Sequence, residues 1–178
     1  MTPHHFTLQP FSSTNPISNI QITGNITRAS NNLNLNYQLL GDLSQIEISP
    51  IADQPTRQHQ LWQTTCLEFF LGIKNSTQYW EFNLSPTKHW NIYSFTDYRQ
   101  NMTEETAFDS LPFDIQTQPH SLDLSLQLNL NPIISPSQKL TAAISAVIQS
   151  GRQITYWALT HPGSTADFHR RDNFIINL

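Results

Sequence analysis

Between positions 122 and 130 leucine recurs at every second residue: Leu122, Leu124, Leu126, Leu128 and Leu130, separated by Asp123, Ser125, Gln127 and Asn129. Side chains alternate between the two faces of a strand, so a strand gathers all five leucines on one side. Leucine favours helix on propensity, but a helix would scatter this set around its axis, and pattern outranks propensity. A second stretch repeats the arrangement, with Leu33, Leu35, Tyr37 and Leu39 set against Asn34, Asn36 and Gln38. Strands with one dry and one wet face belong to antiparallel sheets.

The rest of the chain fits that class. Residues 61–102 read as three strands, 65–73, 79–85 and 90–98, rich in β-branched and aromatic residues and joined by Asn, Ser and Pro turns. A short opening strand is expected at 6–8, followed by an extended lead-in held by Pro10 and Pro16, then loose alternation over 17–27. Residues 43–51 read as a weaker strand and 53–60 as a polar loop. Residues 103–108 read as one helical turn, and Pro112 prevents a long helix. The alanine-rich segment 139–149 suits either a helix or a strand; a strand is favoured because it can pair with 154–161 across Ser150-Gly151-Arg152. A last short strand is expected at 174–178. About ten short strands with little helix predict one domain over residues 1–178, an all-β antiparallel sandwich.

Composition narrows the function classes. Charged residues make up only 12% of the 178 residues, about half the usual ~25%, and Asn, Gln, Ser and Thr supply the polarity instead. A net charge of −4 argues against a broad nucleic-acid footprint. One cysteine, Cys66, allows no internal disulfide and no multi-cysteine zinc site. The opening MTPHHFTLQPF has no basic segment leading into an apolar run, and no stretch approaches the ~20 apolar residues of a membrane helix. The expectation is a cytoplasmic protein that contacts neither membrane nor nucleic acid. Its oligomeric state is not legible.

Residues 61–102 also hold the chemistry. Alternation places Leu67, Phe69, Leu71 and Ile73 on one face and Cys66, Glu68 and Phe70 on the other. Next door it separates Trp80, Phe82 and Leu84 from Tyr79, Glu81 and Asn83. One face can build a core, while the other mixes rings with carboxylate, amide and phenol groups. Such a surface suits a sugar, whose apolar C–H face wants a flat ring and whose hydroxyls want hydrogen bonds in the ring plane. Candidate platforms are Trp90, Trp157, Tyr79, Tyr93 and Trp62, and candidate hydrogen-bonding groups are Glu68, Glu81, Asn83 and Arg99. For Trp80 and Trp157 the competing reading is plain core filling. The string THPGSTADFHRRD brings His161, Asp167, His169, Arg170, Arg171 and Asp172 beside a Pro-Gly turn. It reads either as a pocket for a sugar or an anion, with His161, Asp167, His169 and Arg171 as contacts, or as a loop held by its own ion pairs.

Read together, LWQTTCLEFF, YWEFNLSPTKHWNIYSFTDYR, SAVIQ and YWALTHPGSTADFHRRDNF resemble the bacterial DOMON-like domain proteins, which are grouped with the type-9 carbohydrate-binding modules. The resemblance spans residues 61–174. It implies an immunoglobulin-like β-sandwich and non-catalytic binding of a small polar ligand, a sugar or, in other branches, haem. The two tryptophans that clamp the sugar in type-9 modules have no assigned counterpart here.

The same residues admit other chemistries. Glu68 and Glu81 on one face could act as the carboxylate pair of a glycoside hydrolase; the competing reading is a pair of strand glutamates satisfied by neighbours. Haem of the cytochrome type needs a Met/His pair, for which Met102 with His161 or His169 are the candidates, and no C-x-x-C-H is present. Cys66 reads as an inert buried thiol. No cofactor and no catalytic metal are expected; a structural calcium held by Asp and carbonyl oxygens stays open. No nucleotide-binding, zinc-protease or serine-hydrolase motif occurs.

Overall fold

The computed structural model describes residues 2–11, 17 and 19–178, and the expected lead-in at Pro16 lies outside them. In chain order the strands are β1 (His4–Thr7), β2 (Gln9–Pro10), β3 (Gln21–Ala29), β4 (Asn32–Leu40), β5 (Cys66–Ile73), β6 (Tyr79–Leu84) and β7 (Trp90–Phe95). There follow β8 (Thr103–Glu104), β9 (Phe113–Gln118), β10 (Ser121–Asn129), β11 (Leu140–Ser150), β12 (Gln153–Ala158) and β13 (Ile176–Asn177). Three of these, β2, β8 and β13, are two residues long. Among the described residues the only helical elements are single 3-10 turns at Leu43–Gln45, Leu61–Gln63 and Arg171–Asn173.

The strands form two antiparallel sheets. The smaller has the order β1-β3-β4-β10-β9, the larger β2-β12-β11-β5-β6-β7-β8, with β13 on the β12 side of β11. The two alternating stretches are neighbours: β10 pairs with β4 so that Leu122 faces Leu39, Leu124 faces Tyr37, Leu126 faces Leu35 and Leu128 faces Leu33. Their leucines meet Leu67, Phe69, Leu71, Phe82, Leu84 and Ile92 of the larger sheet in one core, where Phe69 and Phe82 stack at 4.2 Å. Fully burying side chains of this size stabilises by about 1.5–3 kcal/mol each, so the inter-sheet layer carries the fold. Tyr37 crosses that layer, and its hydroxyl donates to the Glu68 carbonyl oxygen, tying the two sheets together beneath Glu68.

Three expectations fail locally. Residues 43–51 form no strand: Leu43 and Ile46 are buried three residues apart, the spacing of a helical turn, and Asp42 caps that turn by accepting from the Ser44 N–H. Residues 103–108 form no helical turn, because Thr103 and Glu104 pair with Ser94 and Tyr93 as β8. Residues 113–118, for which no element was expected, form β9, whose two buried residues, Phe113 and Ile115, give too short an alternation to stand out. The ambiguous segment 139–149 is strand β11, central in the larger sheet.

Candidate functional site

A strand buried on both faces exposes no side, and β5 and β6 are of that kind: apart from Ile73, every residue of both is buried. One face is the core. The other, the outer face of the larger sheet, is roofed by the segments 57–62 and 167–174. Under the roof sits a second cluster of Phe70, Tyr79, Tyr93, Phe95, Ala143 and Phe174, with Trp62 and Phe168 packed against it. Alternation along β5, β6 and β7 sends Glu68, Glu81, Asn83 and Asn91 to this same side, so four polar groups are buried among rings.

The roof is fastened by cations. Arg171 donates to the carbonyl oxygens of Ile73 (3.0 Å) and Ser76 (3.2 Å) and lies 4.5 Å over the Phe174 ring. A Cβ on Gly72 would fall 1.6 Å from the Arg171 Nη1, so the strand needs a glycine where the guanidinium crosses it. On the other side Arg57 donates to the Asn91 Oδ1 (2.8 Å) and the Phe108 carbonyl (2.6 Å), and stands 4.2 Å over Trp90. His59 pairs with the Tyr93 hydroxyl at 2.9 Å.

Between the two halves of the roof a cavity of about 630 Å³ opens to solvent. Its walls include Trp62, Phe95, Tyr156 and Phe168, and Glu68 and Glu81 also line it. Arg99, Met102 and His169 line it too. The Asn83 amide donates to the Glu81 Oε1 at 2.9 Å, and His169 Nε2 lies 3.7 Å from the Glu81 Oε2. Tyr79 accepts from the Arg99 backbone N–H (3.1 Å) and pairs with His169 Nδ1 (2.9 Å). Arg99 is bound to Asp167 at 2.8 Å, and Tyr98 donates to the other Asp167 oxygen. Glu68 is only 1% exposed. Its Oε2 accepts from Ser145 at a long 3.5 Å, and its Oε1 has no partner.

These surroundings shift the titrating groups. Burial, with the Glu81 charge behind it, pushes Glu68 well above the usual carboxylate range. Burial lifts Glu81 to about 7 against the opposing pull of Asn83 and Arg99. Burial lowers His169 to about 4, helped by Arg99, so its imidazole is neutral at pH 7. Desolvation raises Tyr79 and Tyr93 to about 12 each. Cys66 is buried, and burial followed by Glu68 pushes its thiol well up, which keeps it protonated and unreactive.

Nine of the thirteen residues singled out in the sequence therefore meet on this face: Glu68, Glu81, Asn83, Trp62, Tyr79, Tyr93, Arg99, Asp167 and His169. The other four stand elsewhere. Trp90 and Trp157, expected as platforms, point into the core at 4% and 3% exposure, because alternation puts them on the face opposite Tyr93 and Tyr156; Trp157 donates instead to Thr155 Oγ1. His161 pairs with the Gln9 carbonyl, and Arg171 is the roof fastener. Tyr79 and Tyr93 reach the site by their hydroxyls, since their rings are buried and Tyr79 stacks on Phe95 at 4.7 Å. The rings that do wall the cavity, apart from Trp62, were not singled out. Alternation alone would have found Phe70 and Phe95, which share a face with Glu68 and Glu81; nothing local marks Phe168 or Tyr156.

Cofactor fit can be read from the same distances. Met102 and His169 both line the cavity; His169 Nδ1 pairs with the Tyr79 hydroxyl, and Nε2 lies 3.7 Å from the Glu81 Oε2. Among the described residues no three His, Cys, Asp or Glu side chains converge as ligands for a metal ion. No helix in this set is long and apolar enough to cross a membrane.

No family model matches the sequence, and no curated protein matches it. Solved structures do. A candidate carbohydrate-binding protein from Bacteroides uniformis ATCC 8492 aligns with a TM-score of 0.75 at 11% identity, over 97% of this chain and 84% of that one. Two structures of a family-9 carbohydrate-binding module from Caldicellulosiruptor kristjanssonii also align. One, with cellotriose, has a TM-score of 0.48 at 10% identity over 91% and 75% of the two chains. The other, with glucose, has a TM-score of 0.45 at 9% identity over 88% and 76%. At this identity the Bacteroides likeness establishes a shared β-sandwich fold.

Proposed function

We propose that this protein is a non-catalytic carbohydrate-binding β-sandwich, and that the sugar sits in the cavity on the outer face of the larger sheet. The observation that carries this reading is the conjunction, in one open cavity, of aromatic walls with buried hydrogen-bonding groups that the protein leaves incompletely satisfied. A pyranose ring has an apolar face for Trp62 and Phe168, and hydroxyls for Glu68, Glu81 and Arg99. The fold shared with a protein named for carbohydrate binding agrees with it.

Glycoside hydrolysis is the weaker reading, although Glu68 and Glu81 do share the cavity. That reaction needs one ionised carboxylate beside one protonated carboxyl, set by environments that separate the two. Here burial pushes both glutamates in the same direction. Calorimetric titration with a panel of mono- and oligosaccharides tests the binding reading. Saturable binding that weakens in Trp62→Ala and Phe168→Ala is the expected result. Absence of binding across the panel would overturn it.

A further inference from the structure

A buried carboxyl oxygen without a donor is rare, because removing such a group from water without compensation costs several kcal/mol. Glu68 Oε1 is in that position, and Glu68 lines the cavity. A second carboxyl, Glu81, lies on the neighbouring strand: Glu68 is opposite Asn83, and Glu81 is two residues before Asn83 on the same face. Diagonal neighbours of this kind are about 7–8 Å apart at the backbone, close enough for one small group to reach both side chains.

Of the cations nearby, Arg99 is held by Asp167 at 2.8 Å and Arg57 by Asn91 and the Phe108 carbonyl. Arg171 gives its Nη2 to the Ile73 and Ser76 carbonyls; its buried Nη1 has no partner, but Arg171 is not part of the cavity lining. His169 is engaged at Nδ1 by Tyr79. A ligand hydroxyl could satisfy one oxygen but would leave two acidic groups facing each other. A protonated amine brings three donors and the missing positive charge. Rings beside it add attraction through their faces.

We propose that the cavity takes an amino sugar, with its protonated amine set against Glu68 and Glu81 and the C–H face of its ring on Trp62 and Phe168. This deepens the carbohydrate reading and rests on it. Binding the cation favours the ionised forms of the two glutamates, so protons leave to solvent as the ligand enters. The recognition is of charge, and N-acetylation of the same amine removes it.

Isothermal titration of the full chain with D-glucosamine, D-glucose, N-acetyl-D-glucosamine and cyclohexylamine separates the two levels of the proposal. Glucosamine is expected to bind about tenfold or more tighter than glucose or N-acetylglucosamine, with proton release seen as a dependence of heat on buffer. Glu68→Gln and Glu81→Gln, each checked for folding by near-ultraviolet circular dichroism, are expected to abolish that preference. Equal binding of glucose and glucosamine, or a preference that survives both variants, overturns the amine assignment and leaves the carbohydrate reading intact. Binding of cyclohexylamine with no sugar bound overturns the carbohydrate reading, and the amino-sugar assignment with it. If none of the four ligands binds, the amino-sugar assignment falls, while the carbohydrate reading goes to the wider sugar panel.

Discussion

The two sheets of this sandwich turn opposite kinds of outer face to their surroundings. The smaller sheet shows a ladder of short polar side chains, among them Thr23, Asn25, Asn36, Gln38, Asp123 and Ser125. They line a shallow hollow of about 550 Å³, close in size to the 630 Å³ cavity on the other side. On that ladder the amides pair with their neighbours: Asn36 donates to Asn25 at 3.1 Å and Gln38 to Asp123 at 2.8 Å, both at the protein surface. On the larger sheet the polar groups are roofed over, surrounded by rings and incompletely bonded. Volume does not distinguish the two surfaces; desolvation does. Polar groups that water and each other already satisfy have little to gain from a ligand, whereas a buried carboxyl lacking a donor has much.

That contrast predicts its largest consequence in the pH dependence of stability. Glu68 and Glu81 bind protons more tightly folded than unfolded, so their contribution is full below about pH 4.5 and is lost as pH rises, through about 7 for Glu81. His169, lowered to about 4, works the other way: its contribution is present above about 6.5, its unfolded value, and is lost as pH falls through 4. The remaining groups facing the pair are the Cys66 thiol and the Tyr79 and Tyr93 phenols, all neutral in this range, and the Arg99–Asp167 ion pair, charged throughout it. Two acids outweigh one imidazole. Stability should therefore fall as pH rises from about 4.5 to 6.5, and more steeply just above. Urea titrations at a series of pH values check this, and Glu81→Gln should nearly level the slope below 6.5. A stability that climbs with pH over that window would mean the two carboxyls are not buried as described.

The second effect concerns how the roof is held. Gly72→Ala should push the Arg171 guanidinium off its two carbonyl acceptors and destabilise by about 1.5–3 kcal/mol, the range for charged hydrogen bonds. Arg171→Ala in the same background should add little, since both changes remove one interaction. Full additivity in a double-mutant cycle would show that the glycine answers to something other than the arginine. A third, smaller change tests the walls. Phe168→Ala should weaken sugar binding about tenfold while leaving the melting temperature within a few degrees, because Phe168 is only partly buried against the second cluster.

The layers of this fold were legible because alternation is a strong and local signal. Leu122 to Leu130, Leu33 to Leu39 and the opposed faces of residues 66–73 and 79–84 all stand as their periodicity required. The same signal correctly put Glu68, Glu81 and Asn83 together. It also implied that Trp90 and Trp157 share parity with core residues, but their size and chemistry suggested platforms, and parity prevailed. What remained illegible depends on where irregular chain returns in space. Segments 57–62 and 167–174 carry no periodicity, yet they decide that an outer sheet face becomes a buried one. Arg171 resembled a ligand contact because its carbonyl acceptors, on Ile73 and Ser76, lie about a hundred positions away in sequence.

The smallest expected effect is the most direct check on the comparison. Ser125 sits mid-way along β10 on the wet ladder, opposite Asn36 and Asp114, and lines the 550 Å³ hollow. If that surface is satisfied by water and by its own amides, Ser125→Ala removes nothing that folding or binding uses. Its stability should stay within about 0.5 kcal/mol of the parent, as for exposed positions away from special features. Sugar affinity should not change at all. Ser145 offers the matched substitution on the other sheet, where its hydroxyl donates to Glu68 at 3.5 Å. Ser145→Ala removes that donor from a buried carboxyl, and should both destabilise by about 1 kcal/mol and raise the Glu68 proton affinity further. Equal responses from these two serine-to-alanine changes, measured side by side in denaturant, would erase the distinction between the faces, because the same hydroxyl would then be worth the same whether its surroundings are wet or dry.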